Sequence, residues 1–294
     1  MGKSLVISSC NIKSLDLMVV GVNFAQSIGN FPADAQRDFL KLVKECDGII
    51  FSDTQAMTMY LHSTGGLGVG DFEGFALNLK DDETRPAYFL GDNKSDNKPK
   101  NNTLADIAEQ EYGIDKLLYY ALDLFSHEPY FFHGATGTAE EKRLEFDSCV
   151  DEYLAYRSSE LDFSDGVKDA IKRMYVGIRK GLLNVSKNST ESYDHQLVLQ
   201  FREYISHYIN MIKSYHRVVP AVRQITEDET EKSVKRKKVL IVDNADFNYL
   251  VDLLNDTTIV KPPTWTEVQQ SAPNHYKHLL QETNRVYELI RKSS

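Results

Sequence analysis

The chain has 294 residues, 41% of them apolar and 26% charged, a composition that fits one large globular domain or two smaller ones. Its 34 basic and 43 acidic side chains leave a net charge of −9, which argues against wholesale binding to nucleic-acid backbones or anionic membranes. Cys10, Cys46 and Cys149 are far apart with no Cys-x-x-Cys pair, so neither a disulfide framework nor a structural zinc site is expected. The N-terminus carries no signal-peptide pattern, and Val6 stands where a myristoylation signal needs Ser or Thr. No stretch approaches the roughly 18 apolar residues of a membrane span, and a cytoplasmic location is expected.

In chain order, residues 4–10 (SLVISSC) read as a short buried strand ending in the polar tip Ser8-Ser9-Cys10-Asn11. Leu17, Val20, Phe24 and Ile28 have helical spacing and predict a helix over 14–28. Pro32 and Asp34 open another helix, with Phe39, Leu42 and Val43 on one face and Cys46-Asp47-Gly48 at its close. Ile49-Ile50-Phe51 is the next strand, running into Ser52-Asp53-Thr54-Gln55. Four glycines fall within Gly65–Gly70, a short helix is expected over 71–79, and Pro86–Leu90 reads as a third strand. Alternating strands and helices imply a parallel sheet in which the strands at 4–9, 48–52 and 86–90 are neighbours or near neighbours.

Residues 91–102 (GDNKSDNKPKNN) are polar throughout and read as a flexible stretch. Helices are then expected over 103–125, 139–158 and 164–184. The strongest pattern is a single helix over 191–219, striped by Leu197, Phe201, Tyr204, Ile205, Tyr208, Ile212, Tyr215 and Val219. A charged linker follows over 226–238, then a late strand at 239–243, a short helix over 245–255 and a terminal helical segment from Thr264 to Lys292. The fold class expected is α/β: a Rossmann-like, parallel-sheet nucleotide-binding domain over 1–125, with a large helical region (126–235) packed beside it and 236–294 supplying the late strand and final helices. If the late strand returns to the first sheet, the helical region is an insertion.

The glycine segment sits after a strand and before a helix, where backbone N–H groups can approach a ligand and a helix N-terminus attracts anions. No Lys-Ser/Thr follows it, so it is not a P-loop, and it lacks the GxGxxG spacing of a dinucleotide fingerprint. It is followed by Glu73 on the first helical turn. A carboxylate there can act as a nucleophile or stabilise an oxocarbenium-like centre at a sugar C1. The helix dipole alone would also favour an acidic residue at that point.

The blocks Cys46-Asp47-Gly48-Ile49-Ile50, Asp71-Phe72-Glu73-Gly74-Phe75-Ala76 and Arg85-Pro86-Ala87-Tyr88 resemble the core of nucleoside 2-deoxyribosyltransferase-like proteins. In that family a glutamate of the second block attacks C1 of the sugar, which implies this role for Glu73. The same stretch is similar to the Gly-Gly-x-Gly-Thr-x-x-Glu loop of nucleoside-monophosphate phosphoribohydrolases. That likeness implies a phosphate cradle at Gly65, Gly66 and Gly68, with Gly70 and Asp71 alongside. Val69 replaces the Thr of the second pattern, and Glu73-Gly74 is one residue tighter than the Glu-x-Gly of the first. The function implied is cleavage or transfer at the N-glycosidic bond of a nucleoside, nucleotide or NAD-like molecule, with Asp53 and Gln55 contacting base or ribose.

Two alternatives stand beside it. Ser8, Ser9 and Asn11, at a strand tip, can hydrogen-bond a nucleotide or serve the turn itself. With Cys10 they also suit an SGNH-type esterase or acyltransferase, if Asp243 or Asp246 and His275 or His278 complete the set. The other alternative is a non-enzymatic ligand sensor, or an assembly protein acting through its helical half as a homo-oligomer or with a protein partner. The pairs Glu203/His207 and His275/His278 have helical spacing that could hold a metal, but helix-surface hydrogen bonding is their commoner use. No metal or cofactor is expected. The basic run Lys232–Lys238 follows acidic residues and reads as a solvated linker rather than a nucleic-acid patch.

Overall fold

A computed structural model describes residues 8–22, 33–52, 87–90, 103–131, 150–151, 153–154, 164–188, 195–231, 236–244, 246–255 and 261–292. Outside these lie the predicted start of the first strand, the glycine segment with its helix at 71–79, the polar stretch 91–102 and most of 139–158. The chain divides into two compact units, each drawn from two stretches: 1–97 with 213–261, and 98–212 with 262–294.

The first unit holds a five-stranded sheet: β1 (Ser8–Ile12), β2 (Leu17–Val22), β3 (Gly48–Phe51), β4 (Ala87–Phe89) and β5 (Lys238–Asp243), in the order β1-β2-β5-β3-β4. β2, β5, β3 and β4 are parallel and β1 is antiparallel to β2. The late strand therefore returns to the sheet and occupies its centre, and β3 and β4 pair side by side as expected. The first strand departs from expectation. It runs opposite to the others and is separated from β3 by β2 and β5.

The cause is Leu17–Val22, read as a helix and found as a strand with all six residues buried. Leu17, Val20, Phe24 and Ile28 fit a helical period, but Leu-Met-Val-Val-Gly-Val is a continuous apolar run rich in valine. Such a run suits a strand covered on both faces. A 3-10 turn at Lys13–Leu15 reverses the chain, and Asp16 at φ 51° closes the hairpin, a left-handed conformation that Asp tolerates.

Alternation along the strands defines two faces. Ile12, Leu17, Val19, Ile50, Leu240 and Val242 pack into one core with Val218, Val219 and Val222, and with Leu250, Leu253 and Leu254. The last six belong to a π turn (Ser214–Val218), a helix (Val219–Glu231) and α7 (Phe247–Leu254). Met18, Val20, Ile49, Phe51, Val239 and Ile241 form the other face and are equally buried. The helix α1 (Ala33–Lys44), with Phe39 and Val43 buried, connects β2 to β3 across β5. The connection into β5 travels the opposite way across the sheet, so right-handed crossovers put the two connections on opposite faces.

The second unit is helical: α2 (Leu104–Tyr112), α3 (Lys116–Phe131), α4 (Asp165–Asn188), α5 (His195–Lys213), α8 (Trp265–Ser271) and α9 (Asn274–Arg291); the first unit's helix Val219–Glu231 is α6. The stripe read on α5 is buried at Phe201, Ile205, Tyr208 and Ile212. The expected single helix over 191–219 changes to π geometry at Ser214, which shifts the buried positions to Val218 and Val219 and leaves Tyr215 half-buried. Gly177 and Gly181 of α4 admit α9 closely: added Cβ atoms would lie 2.7 Å from Val286 Cγ1 and 2.5 Å from Glu282 Oε1.

Three boundaries differ from the sequence reading. The helix expected over 103–125 is broken by Gly113, whose φ of 70° ends α2 while Ile114 N–H donates to Ala108 O at 3.0 Å. The charged linker begins inside α6, which continues to Glu231. Pro273, with no N–H to donate, separates α8 from α9 within the terminal segment.

Thr103 and Asp106 form a capping box at the start of α2: Asp106 N–H donates to Thr103 Oγ1 at 3.1 Å and Thr103 N–H to Asp106 Oδ2 at 2.7 Å. Lys116 Nζ, at the head of α3, sits 2.5 Å from Asp106 Oδ1. The ion pair with Lys116 and the Thr103 donors hold the Asp106 carboxyl at about 2, below the ordinary 3.8. Asp106→Asn should therefore cost about 1 kcal/mol at neutral pH. Since the folded pKa is depressed, the charged form's contribution is complete above about pH 4 and fades as pH falls towards 2. Urea unfolding of both proteins from pH 7 to pH 2 checks this: the difference should persist to about pH 4 and shrink below it.

The carboxyl edge of the sheet as candidate functional site

In open α/β sheets ligands bind beyond the carboxyl ends of the parallel strands. Here that edge is formed by Val22, Asp243, Phe51 and Phe89, the last residues of β2, β5, β3 and β4. Because β1 is reversed, it begins at this edge: Ser8 lies opposite Gly21.

Backbone hydrogen bonds fix the level of each strand. At the amino edge, Lys238 N–H donates to Asp16 O at 3.0 Å, and Asp47 N–H to Lys237 O at 2.7 Å. At the carboxyl edge, Asn244 N–H donates to Val22 O at 2.9 Å, and Ser52 N–H to Ile241 O at 3.2 Å. The chain then turns sharply into α7, with Asp246 N–H donating to Asp243 O at 3.0 Å.

That turn folds over Gly21. A Cβ on Gly21 would lie 2.9 Å from Phe247 Cβ and 3.0 Å from Asn244 Oδ1, so glycine is the residue that lets α7 start this close to β2. The pleat places Ser8, Gly21 and Ser52 on the face shared by Ile50 and Val242, and Asp243 on the opposite face with Val22. Ser52 is only 6% exposed. Asp246 is buried and precedes α7 without making a side-chain cap bond. Burial raises the Tyr249 hydroxyl on α7 well above its usual range, so it stays protonated.

Of the residues singled out from sequence, Ser8 lies on this edge and is half-buried. Ser9 and Asn11 are exposed on the other face of β1, and Asn11 pairs with Met18 well below the edge. These residues start and form the strand rather than follow it, a consequence of the hairpin. Glu73, Asp53, Gln55, Gly65, Gly66, Gly68, Gly70 and Asp71 lie outside the described residues. Asp243 and Asp246 flank the β5–α7 turn, while His275 and His278 are exposed on α9 in the second unit. No group of three or more His, Cys, Asp or Glu among the described residues could hold a metal ion, and no described helix is long and apolar enough to cross a membrane.

Gly21, Ser52 and Asn244 were not marked by sequence reasoning. The signal was available for two of them: Ser52 and Asn244 are the first polar residues after the apolar runs of β3 and β5. Gly21 was hidden by the helical reading of its segment. Chemically, the described edge offers two hydroxyls on well-separated strands, a carboxamide and carboxylates. Compared with protein-family models, curated proteins and solved structures, the chain matches none.

Gly21→Val should destabilise the first unit by about 1–3 kcal/mol, as overpacking does. Adding Phe247→Ala should restore part of the loss, measured as the midpoint of denaturant unfolding. A double variant no more stable than Gly21→Val would show that the Phe247 ring is not the obstacle, leaving the Phe247 Cβ, which alanine keeps, and Asn244 Oδ1.

Proposed function

We propose that the chain cleaves or transfers at the N-glycosidic bond of a nucleoside, nucleotide or NAD-like molecule, with Glu73 acting on C1. The observation that carries this reading is the parallel pairing of β3 with β4: Ile49 with Ala87, Ile50 with Tyr88, Phe51 with Phe89. The resemblance requires its two strand blocks to run side by side in one direction, with the glycine loop and glutamate between them in sequence. The chain leaves β3 at the carboxyl edge, where a parallel sheet receives ligands. On this reading the glycine loop holds ribose or phosphate, and Asp53 and Gln55 contact base or ribose.

A carboxylate that attacks C1, or faces the cation formed there, cannot be replaced by its amide. Glu73→Gln should keep the circular dichroism spectrum and unfolding midpoint and lose roughly a thousandfold or more in rate, about 4 kcal/mol of barrier. The assay incubates purified protein with nucleosides, nucleoside monophosphates and NAD, and measures released base by chromatography. A wild type inactive across that panel would remove the N-glycoside reading. Release that survives Glu73→Gln would remove Glu73 from the role.

A further inference from the structure

We propose that α4 and α9 of the helical unit together form a docking face for an acidic helix of a partner protein, independently of any N-glycoside chemistry. The basis is unpaired positive charge in a chain that is acidic as a whole. Residues 170–190, which include most of α4, carry five cations (Lys172, Arg173, Arg179, Lys180 and Lys187) and no acid, in a chain of net charge −9. Lys172 and Arg179 are half-buried and have contacts of their own. Arg173 and Lys180 are exposed and make no hydrogen bond or ion pair among the described residues. They stand on one side of α4, two turns apart, which separates them by about 10 Å along the helix. An acid three or four residues away can neutralise such a side chain within its own helix. For Lys180 those positions hold Val176, Gly177, Leu183 and Asn184, and Asp169 makes no pair with Arg173.

The second helix, α9, completes the face. It packs antiparallel to α4, with Val286 against Gly177 and Glu282 against Gly181. The helical period then turns Arg173 and Lys180 of α4 to the same outward side as Arg285 and Leu289 of α9. Leu289 is 56% exposed, the exposed large hydrophobic side chain among the described residues, and the register of the two helices brings it close to the level of Arg173. Arg285 donates to both carboxylate oxygens of Glu282 at 2.6 and 2.7 Å, which neutralises the acid on this side. Two features select the partner. Unpaired cations call for carboxylates or phosphates. An exposed leucine beside them gains from an apolar side chain, which a phosphate backbone does not offer. The chain's net charge of −9 also repels a polyanion as a whole. An acidic amphipathic helix meets both demands: carboxylates two turns apart span the same ~10 Å as Arg173 and Lys180, and an apolar residue in the turn next to the first reaches Leu289.

The test titrates the full chain against four probes: a labelled helical peptide with two glutamates two turns apart and a leucine between them on one face, a peptide of the same composition in scrambled order, an oligo-dT single strand, and vesicles containing phosphatidylserine. The patterned peptide should bind about fivefold or more tightly than the scrambled one, and raising the salt from about 0.05 to about 0.5 M should weaken it by about tenfold. Arg173→Glu and Lys180→Glu should each weaken it by about three- to tenfold, as reversal of a surface charge at a contact does. Leu289→Ser should weaken it by about fivefold at either salt concentration, because apolar burial is not screened. Lys41→Glu, at an exposed cation of α1 in the first unit, should leave binding unchanged. Unchanged unfolding midpoints would show that all four variants fold. Equal binding of the scrambled peptide overturns the inference, as does an equal loss with Lys41→Glu. Tighter binding of the oligonucleotide or the vesicles through Arg173 and Lys180 overturns the assignment to a protein partner. Binding of no probe overturns the inference.

Discussion

The sheet depends on one distant pairing. β5 lies between β2 and β3, and Lys237 N–H reaches Asp47 Oδ2 across 190 residues of chain. Val239, Leu240, Ile241 and Val242 are all buried, and each contributes roughly 2 kcal/mol by leaving water. Without them β2 and β3 would each expose an unpaired edge. Loop closure opposes this only weakly. Each doubling of loop length costs about 0.6 kcal/mol, so extending a connection from ~20 residues to this length adds roughly 2 kcal/mol. Most of the helical unit can therefore be carried between β4 and β5 at small thermodynamic cost, with α8 and α9 added after β5. The cost is larger in time, since contacts this distant form late.

The helical unit supports itself. Its core is assembled from Tyr112, Tyr153, Tyr175, Phe125, Phe201 and Leu279 with their neighbours. Two of the buried tyrosines place their hydroxyls against protein acceptors. Tyr208 donates to Pro263 O at 2.8 Å, and Tyr153 donates to Asp123 Oδ2 at 2.5 Å. The Asp123 carboxylate is thus hydrogen-bonded where an unpaired one could not be buried. Trp265 follows the same rule, its indole N–H donating to Asn284 Oδ1 at 3.2 Å.

How much of this was legible follows from how local each signal is. The α/β class, the pairing of β3 with β4 and the return of the late strand were readable, because each strand is a short apolar run flanked by turn residues. The buried stripe of α5 was readable from its period. The β1–β2 hairpin was not, since Leu17–Val22 fits a helical period while its neighbours bury both of its faces. The break at Gly113 was missed because glycine is tolerated inside helices, and only its left-handed backbone marks an end. The carboxyl edge was half-legible. Ser8 was found for the wrong reason, as the exit of a strand it begins. Ser52 was passed over because its burial is set by β5, which comes far later in the chain. The parts of the candidate site between β3 and β4 rest on residue pattern alone.

The turn at the end of β5 is fixed by a residue on its neighbouring strand. In many parallel sheets a helix N-terminus at the carboxyl edge meets an anion. One described helix that follows a strand at this edge is α7, and it begins directly after Asp243-Asn244-Ala245-Asp246. Carboxylates beside a helix start are themselves stabilised by its dipole. Asp246 stands directly before α7 and makes no side-chain cap bond to it. Gly21 contributes to the same arrangement from beneath, since only without a Cβ can Asn244 and Phe247 lie against β2. The level at which β5 hands over to α7 is thus set by a residue of β2, a strand more than 200 residues earlier in the chain.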